Sequence, residues 1–270
     1  DMTEQKNDFG VGSVEQNIIR MAVPMTVAQI LNLLYNLVDR MYIGHIPGAS
    51  SLALTGVGIT FPIISMITAF ANLFGMGGAP LCSMARGRRD YDAAKRYMQN
   101  AFWMLLAAGV VLTVTGYVIE KPLLYALGAS SVTYSYASSY LRIYLLGNMF
   151  VMVGIGMNPF INAQGFGTMG MVTVGLGALV NIILDPLFIF VFHMGVEGAA
   201  IATIIAQFLS ALWVLFFLTG EKPDLRLKIC WRKPEFTVVK EIVSLGLSNF
   251  FMLFTNSLVQ VVCNRQLQLY

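Results

Sequence analysis

Charge is what this 270-residue chain has least of. Only 11% of it is Asp, Glu, Lys or Arg, against about a quarter in a soluble domain. With 57% hydrophobic residues and a mean hydropathy of +0.69, it would expose large apolar patches in water. Soluble globular and disordered classes are therefore excluded. The formal net charge of +3 gives no electrostatic footprint for nucleic acid. Cysteine is scarce as well: Cys82, Cys230 and Cys263 are odd in number, far apart and outside any CxxC pattern. That spacing argues against a disulfide framework or a zinc site. Histidine is limited to His45 and His193, at the ends of apolar runs where interfacial anchoring is expected. No nucleophile–base pair, metal-ligand cluster or phosphate loop stands at usable spacing, so no enzyme and no cofactor are expected. Residues 1–8 are polar and mixed in charge, unlike a secretory signal.

What is present is a series of long apolar runs. Crossing a ~30 Å hydrocarbon core takes roughly 17–25 helical residues. Six complete spans are predicted at 18–46, 52–85, 97–119, 139–164, 169–193 and 196–219, and a seventh begins near 241 and is still running at Tyr270. The second is too long for a straight crossing and contains Pro62, Gly75, Gly77, Gly78 and Pro80, so it must tilt or bend. Pro24, Pro159 and Pro186 also fall inside spans, which suits a packed bundle whose neighbouring helices satisfy the freed backbone groups. Thirteen of the seventeen basic residues lie in the N-terminal segment, in 86–96 or in 220–240. The positive-inside rule then puts the N-terminus in the cytoplasm of a multi-pass protein of the inner or plasma membrane. The predicted division is a tail at 1–16, a six-helix lobe at 17–219, a cytoplasmic linker at 220–240 and the first helix of an incomplete second lobe at 241–270. In the linker, Leu225, Leu227, Ile229 and Trp231 alternate with polar residues, a pattern expected to lie on the membrane surface.

Twelve of the fourteen acidic residues fall in tails, loops or span ends. Asp39 and Asp185 do not. A charge at mid-helix costs about 2.5–3.5 kcal/mol on the insertion scale, so an intramembrane carboxylate points to function. Asp39 precedes the end of its span by 7 residues and Asp185 by 8, roughly 10–12 Å at 1.5 Å per residue. The two acids therefore reach one level in the outer half of the bilayer. Asn181 shares a face with Asp185 one turn deeper, Thr203 returns to that level from the sixth span, and Tyr35 stands one turn below Asp39. Two acids, an amide oxygen and a hydroxyl can coordinate a hard cation such as Na⁺ or share a proton. Taken singly, Asn181 and Thr203 read as interhelical hydrogen bonding. Arg40 projects from a different side of its helix than Asp39 and is a poor partner for it. The sixteen Met and 12% aromatics suit a compliant wall for apolar cations, although most of them serve helix packing and lipid contact.

Three runs carry a family resemblance. Asn181-Ile-Ile-Leu-Asp185-Pro186-Leu-Phe-Ile-Phe, followed by Gly195-Val-Glu-Gly198-Ala-Ala-Ile-Ala-Thr203, resembles the multidrug and toxic compound extrusion (MATE) transporters. So do Ala22-Val-Pro24 with Tyr35-Asn-Leu-Val-Asp39, and Asn162-Ala-Gln-Gly165. The resemblance covers residues 15–270 and implies an all-α polytopic membrane bundle, the six-helix N-terminal lobe of a twelve-helix, two-lobe transporter. It also implies antiport of cationic or amphiphilic small molecules against Na⁺ or H⁺. By position, Asp39, Asn181, Asp185 and Thr203 match the family's cation site, Tyr35 and Asn158 its supporting members, and Pro24 the bend of the first helix.

In place of the acid that one subgroup carries in its seventh helix, this chain has Asn256, Gln260 and Asn264. This resembles the DinF-like or MepA-like branch, in which the first-lobe aspartates carry more of the coupling. A chain that stops in the seventh helix lacks the C-terminal lobe, and this piece is not expected to transport alone. Two alternatives stand beside the efflux reading. A lipid-linked sugar flippase of the same superfamily would want a basic cavity for pyrophosphate, and the spans hold few cations. A seven-helix receptor would want its C-terminus in the cytoplasm, whereas an odd number of spans from a cytoplasmic N-terminus ends outside.

Overall fold

Apolar sequence too long for any soluble core folds into helices that settle the backbone's hydrogen bonds internally. The computed structural model describes residues 13–46, 50–228 and 234–269, and the architecture is all-α. The helices are α1 (Val14–Ile43), α2 (Ser50–Gly87), α3 (Tyr91–Ala126), α4 (Thr133–Leu146), α5 (Asn148–Ala163), α6 (Gly167–Pro186), α7 (Gly195–Thr219) and α8 (Phe236–Leu269). No strand occurs among the described residues. Six helices are long and apolar enough to cross a bilayer, and α4 with α5, bent by 60° at the break between them, is apolar enough to count with them as a seventh if the pair is one span. Most of the N-terminal tail (1–12) lies outside the described residues.

Local chemistry sets the boundaries. The Ser13 hydroxyl accepts the Gln16 N–H at 3.3 Å and starts α1, and the Asp90 carboxylate accepts the Ala93 N–H at 3.0 Å and starts α3. Between α2 and α3 the chain reverses through Arg89, at φ +61, and the Asp90 N–H reaches back to the Ala85 carbonyl at 2.9 Å. That is the left-handed closure of a helix C-terminus made without glycine. At the other end of the bundle, Pro186 has no N–H to give, and α6 passes into a π turn at Leu187–Val191 before turning back through His193 and Gly195, both at positive φ.

The second span, α2, is one uninterrupted 38-residue helix through Pro62 and Pro80, about 57 Å long, more than a straight crossing needs. One span differs from expectation. The fourth, expected as a single run over 139–164, breaks at Gly147. Ile204 of α7 fills the space beside that backbone, its Cγ1 2.7 Å from where a Cβ would stand. The chain bends around α7 instead of carrying a side chain past it.

The long α2 runs through the middle of the bundle, against α3, α4, α5 and α8. Small residues let it do so. A Cβ on Gly75 would stand 2.5 Å from the Gly156 carbonyl of α5. One on Gly77 would strike the Ile242 carbonyl, and one on Gly246 the Leu73 carbonyl, so α2 and α8 meet backbone to backbone. Higher in the same seam the Phe70 and Phe250 rings pack edge-on with centroids 5.0 Å apart, and the Ser257 hydroxyl donates to the Pro62 carbonyl at 2.8 Å. By contrast α1 packs mainly on α6 and leaves Leu33, Leu34 and Leu37 exposed, as a helix facing lipid would.

Two expectations need correcting. Leu225 and Leu227 do not lie on a membrane surface: both are buried. Gln164 at the end of α5 takes the Leu225 N–H at 2.9 Å and donates to the Leu225 carbonyl at 3.3 Å. The Leu227 N–H donates to the Leu218 carbonyl, and Arg86 pairs with Asp224 at 3.2 Å and donates to the Ala163 carbonyl. This part of the linker is therefore strapped beneath the bundle, because a buried amide offers its backbone both a donor and an acceptor. Ile229 and Trp231, the other half of the alternating pattern, lie outside the described residues, as does Cys230. Glu120 is the second correction. It was counted among the peripheral acids at span ends, yet it is buried, 4% exposed. Arg142 of α4 donates to it at 2.8 Å and so does the Ser138 hydroxyl, so Glu120 enters the protein as half of an ion pair.

Candidate ion-coupling site

The site lies where α1, α6, α7 and α4 converge, toward the end of the bundle away from Arg88 and Arg89. Asp185 is fully buried and Asp39 is 8% exposed. Their carboxyl groups interact across the α1–α6 interface. Two ionised carboxylates repel and neither has a hydrogen to donate, so a proton or a cation between the two favours this arrangement. The Asn181 amide sits one turn from Asp185 on the same face, donating to its Oδ1 at 3.2 Å and to the Thr203 Oγ1 at 3.4 Å. The Thr203 hydroxyl spends its hydrogen on the Ala199 carbonyl at 3.0 Å, which leaves its oxygen an acceptor.

Three acceptor oxygens in the group have no partner: Asp39 Oδ1, Asp185 Oδ2 and Asn181 Oδ1. An unsatisfied buried acceptor costs about 1–3 kcal/mol, more when charged. Three of them on neighbouring side chains suit a hard cation or a shared proton. Arg40 turns its guanidinium to the Phe61 ring, 4.4 Å from the centroid, and acts on Asp39 only at longer range.

The structure thus brings together Asp39, Asn181, Asp185 and Thr203, with Tyr35 within electrostatic reach of both acids. It does not bring Asn158 there. That amide lies on α5 and donates to the Gly170 carbonyl at 3.4 Å, and Gly170 is 11 residues before Asn181, about 16 Å along α6. Pro24 lies within an unbroken α1, 15 residues or about 22 Å from Asp39. Two residues were missed. Tyr140 of α4 contacts Thr203 and is within reach of both acids, and Tyr144 one turn on faces Tyr35. Both rings are buried and stack with centroids 6.3 Å apart. The signal was the four-residue spacing of Tyr136, Tyr140 and Tyr144, a polar stripe inside a run read only for its apolarity.

Membrane-length helices around two buried, neighbouring acids define a polytopic helical membrane protein with ionisable groups held inside its bundle. The family described as MatE matches residues 24–187, and the chain belongs to it, on the MepA-like branch. It is 27% identical over 267 residues to the multidrug export protein MepA of Staphylococcus haemolyticus, a match covering 99% of this chain and 59% of that protein. MepA of Staphylococcus aureus strain MRSA252 is 26% identical over 97% of this chain and 57% of its own length. Among solved structures, a MATE in complex with MaL6 superposes with a TM-score of 0.87 at 26% identity, covering 95% of this chain and 56% of that one. A MOP superfamily transporter from Pyrococcus furiosus superposes with a TM-score of 0.85 at 27% identity, over 96% of this chain and 57% of that one. The chain spans a little over half the length of the relatives it matches.

Proposed function

We propose that this chain is the N-terminal lobe and linker, with the first helix of the second lobe, of a multidrug efflux antiporter. It exports cationic or amphiphilic small molecules against a gradient of Na⁺ or H⁺. The observation that carries this reading is the interaction of Asp39 with Asp185 beside three unpartnered oxygens. A group of acceptors that favours an occupant is a coupling site: the ion's arrival and departure change which helix arrangement is lowest in free energy. With the ion bound, α1 and α6 are held together at Asp39 and Asp185. With it gone, two bare carboxylates repel and α1, lightly packed elsewhere, is free to move. Pro24 is the point in α1 with a missing hydrogen bond, and so the softest place to bend.

The N-terminus and the basic ends at 86–96 and 220–240 face the cytoplasm in this reading, and the acid pair opens toward the outside. Supporting the export function are the MepA relatives, which are named as multidrug export proteins. The test is ethidium efflux from cells that carry the full-length transporter with Asp39→Asn or Asp185→Asn. Each variant should reach the membrane at the wild-type level and export at less than about a tenth of its rate. Undiminished efflux in both would remove the carboxylate pair from the mechanism.

A further inference from the structure

The first turns of α8 are tied to α3 by polar contacts at the basic end of the bundle. The buried Asn100 side chain accepts the Glu235 N–H at 3.0 Å, capping the start of α8 from another helix. Its own amide donates to the Arg96 carbonyl at 2.9 Å, which fixes which atom faces Glu235. The Arg96 guanidinium lies 3.9 Å from the Glu235 carboxylate, and the Tyr97 hydroxyl donates to the Glu241 carboxylate. Deeper in the bundle the α2–α8 seam is apolar and glycine-lined at Gly77 and Gly246.

Apart from the one that the buried Asn100 accepts, these contacts differ in kind from those that hold the linker. Gln164 grips Leu225 from inside the protein, where both hydrogen bonds are shut away from water, and parting them would strand buried groups. Arg96 and Glu235 are 43% and 36% exposed, so water takes over their hydrogen bonds as they separate, and such a pair contributes little net stability. The strap at 224–227 therefore stays with the first lobe, while the α3–α8 contacts can be made and broken.

We propose that Arg96, Tyr97 and Asn100 of α3, with Glu235 and Glu241 of α8, form a latch. It holds the basic end of the transporter closed and releases when that end opens to admit substrate. The three α3 residues fall within five positions on adjacent turns, so a single small displacement of α8 breaks every contact together. The latch rests on the transport reading given above, and its tests are independent of Asp39 and Asp185.

Two experiments decide it in the full-length transporter, on a background with its native cysteines replaced. In the first, spin labels at Arg89→Cys and Lys240→Cys, both exposed positions, report the separation of the two sides by pulsed electron resonance. Tyr97→Phe and Glu241→Ala should each raise the ratio of separated to docked populations by about two- to fivefold, the worth of an exposed contact to a charge. The double variant should add little, because both changes remove one contact. Unchanged distance distributions in folded variants, or additive shifts, overturn the proposal. In the second, Arg96→Cys with Glu235→Cys is bridged by a short bis-methanethiosulfonate reagent. Ethidium efflux should stop and return on reduction, while single-cysteine controls keep it. Full efflux after complete bridging, or equal loss in the controls, overturns the latch. Failure of the transport reading would appear separately, as unimpaired efflux in the Asp39 and Asp185 variants.

Discussion

Replacing Asp185 by Asn should make the purified full-length protein more stable without ion and less responsive to it. Two bare carboxylates about 4 Å apart, at an effective dielectric constant near 20, repel by about 4 kcal/mol. Asp185 is fully buried and Asp39 nearly so, so solvent screening relieves little of this. An ion that binds only the folded protein stabilises it by about 2.7 kcal/mol at a hundredfold excess over its dissociation constant. The wild type should therefore gain thermal stability when its ion is supplied, as Na⁺ in place of choline or as acid in place of alkali. Asparagine keeps the shape and still accepts from Asn181, and leaves Asp39 as the one charge of the pair. Its melting temperature in choline at alkaline pH should lie above that of the wild type, and should move less with either ion. Thermal unfolding in detergent, in a matrix of Na⁺ and pH, reads this directly. An Asp185→Asn protein that retains the wild-type ion response would refute the reasoning, because the stabilising ion would then bind elsewhere.

Other predictions follow from the packing. Gly77→Leu should destabilise by about 1–3 kcal/mol or prevent insertion, since a Cβ there already meets the Ile242 backbone. Gly154→Ala should be close to neutral in the same melting assay, because its nearest neighbour stands at 3.6 Å. Gln164→Ala should expose the linker to trypsin at Arg226 or Lys228, as the loss of two buried hydrogen bonds costs about 1–3 kcal/mol each. Arg142→Ala should cost about 1–3 kcal/mol by leaving the buried Glu120 with the Ser138 hydroxyl alone, since Arg142 itself is half exposed. Adding Glu120→Gln to it should recover most of that in a thermal melt.

The hydropathy of the chain made most of this legible. Spans, their order and the two intramembrane acids need only residue types and a 1.5 Å rise, and Asp39 and Asp185 do interact across α1 and α6. What stayed hidden depends on neighbours distant in sequence. Gly147 bends the fourth span because Ile204 occupies its side, and nothing near 147 announces Ile204. Leu225 is buried by Gln164, 61 residues away, where alternation alone suggested a membrane surface. Glu120 looked peripheral by position and is interior by virtue of Arg142. Tyr140 and Tyr144 were visible as a spacing but lacked a reason until α4 was seen to face Asp39 and Thr203.

The central claim is that the Asp39–Asp185 pair couples an ion gradient to export. Its most direct test is the full-length protein in proteoliposomes, with Na⁺ and pH gradients imposed one at a time and the flux of a fluorescent cation recorded. One gradient should drive transport in the wild type, and neither should drive it in Asp39→Asn or Asp185→Asn. Gradient-driven flux at the wild-type rate in both variants would contradict the account.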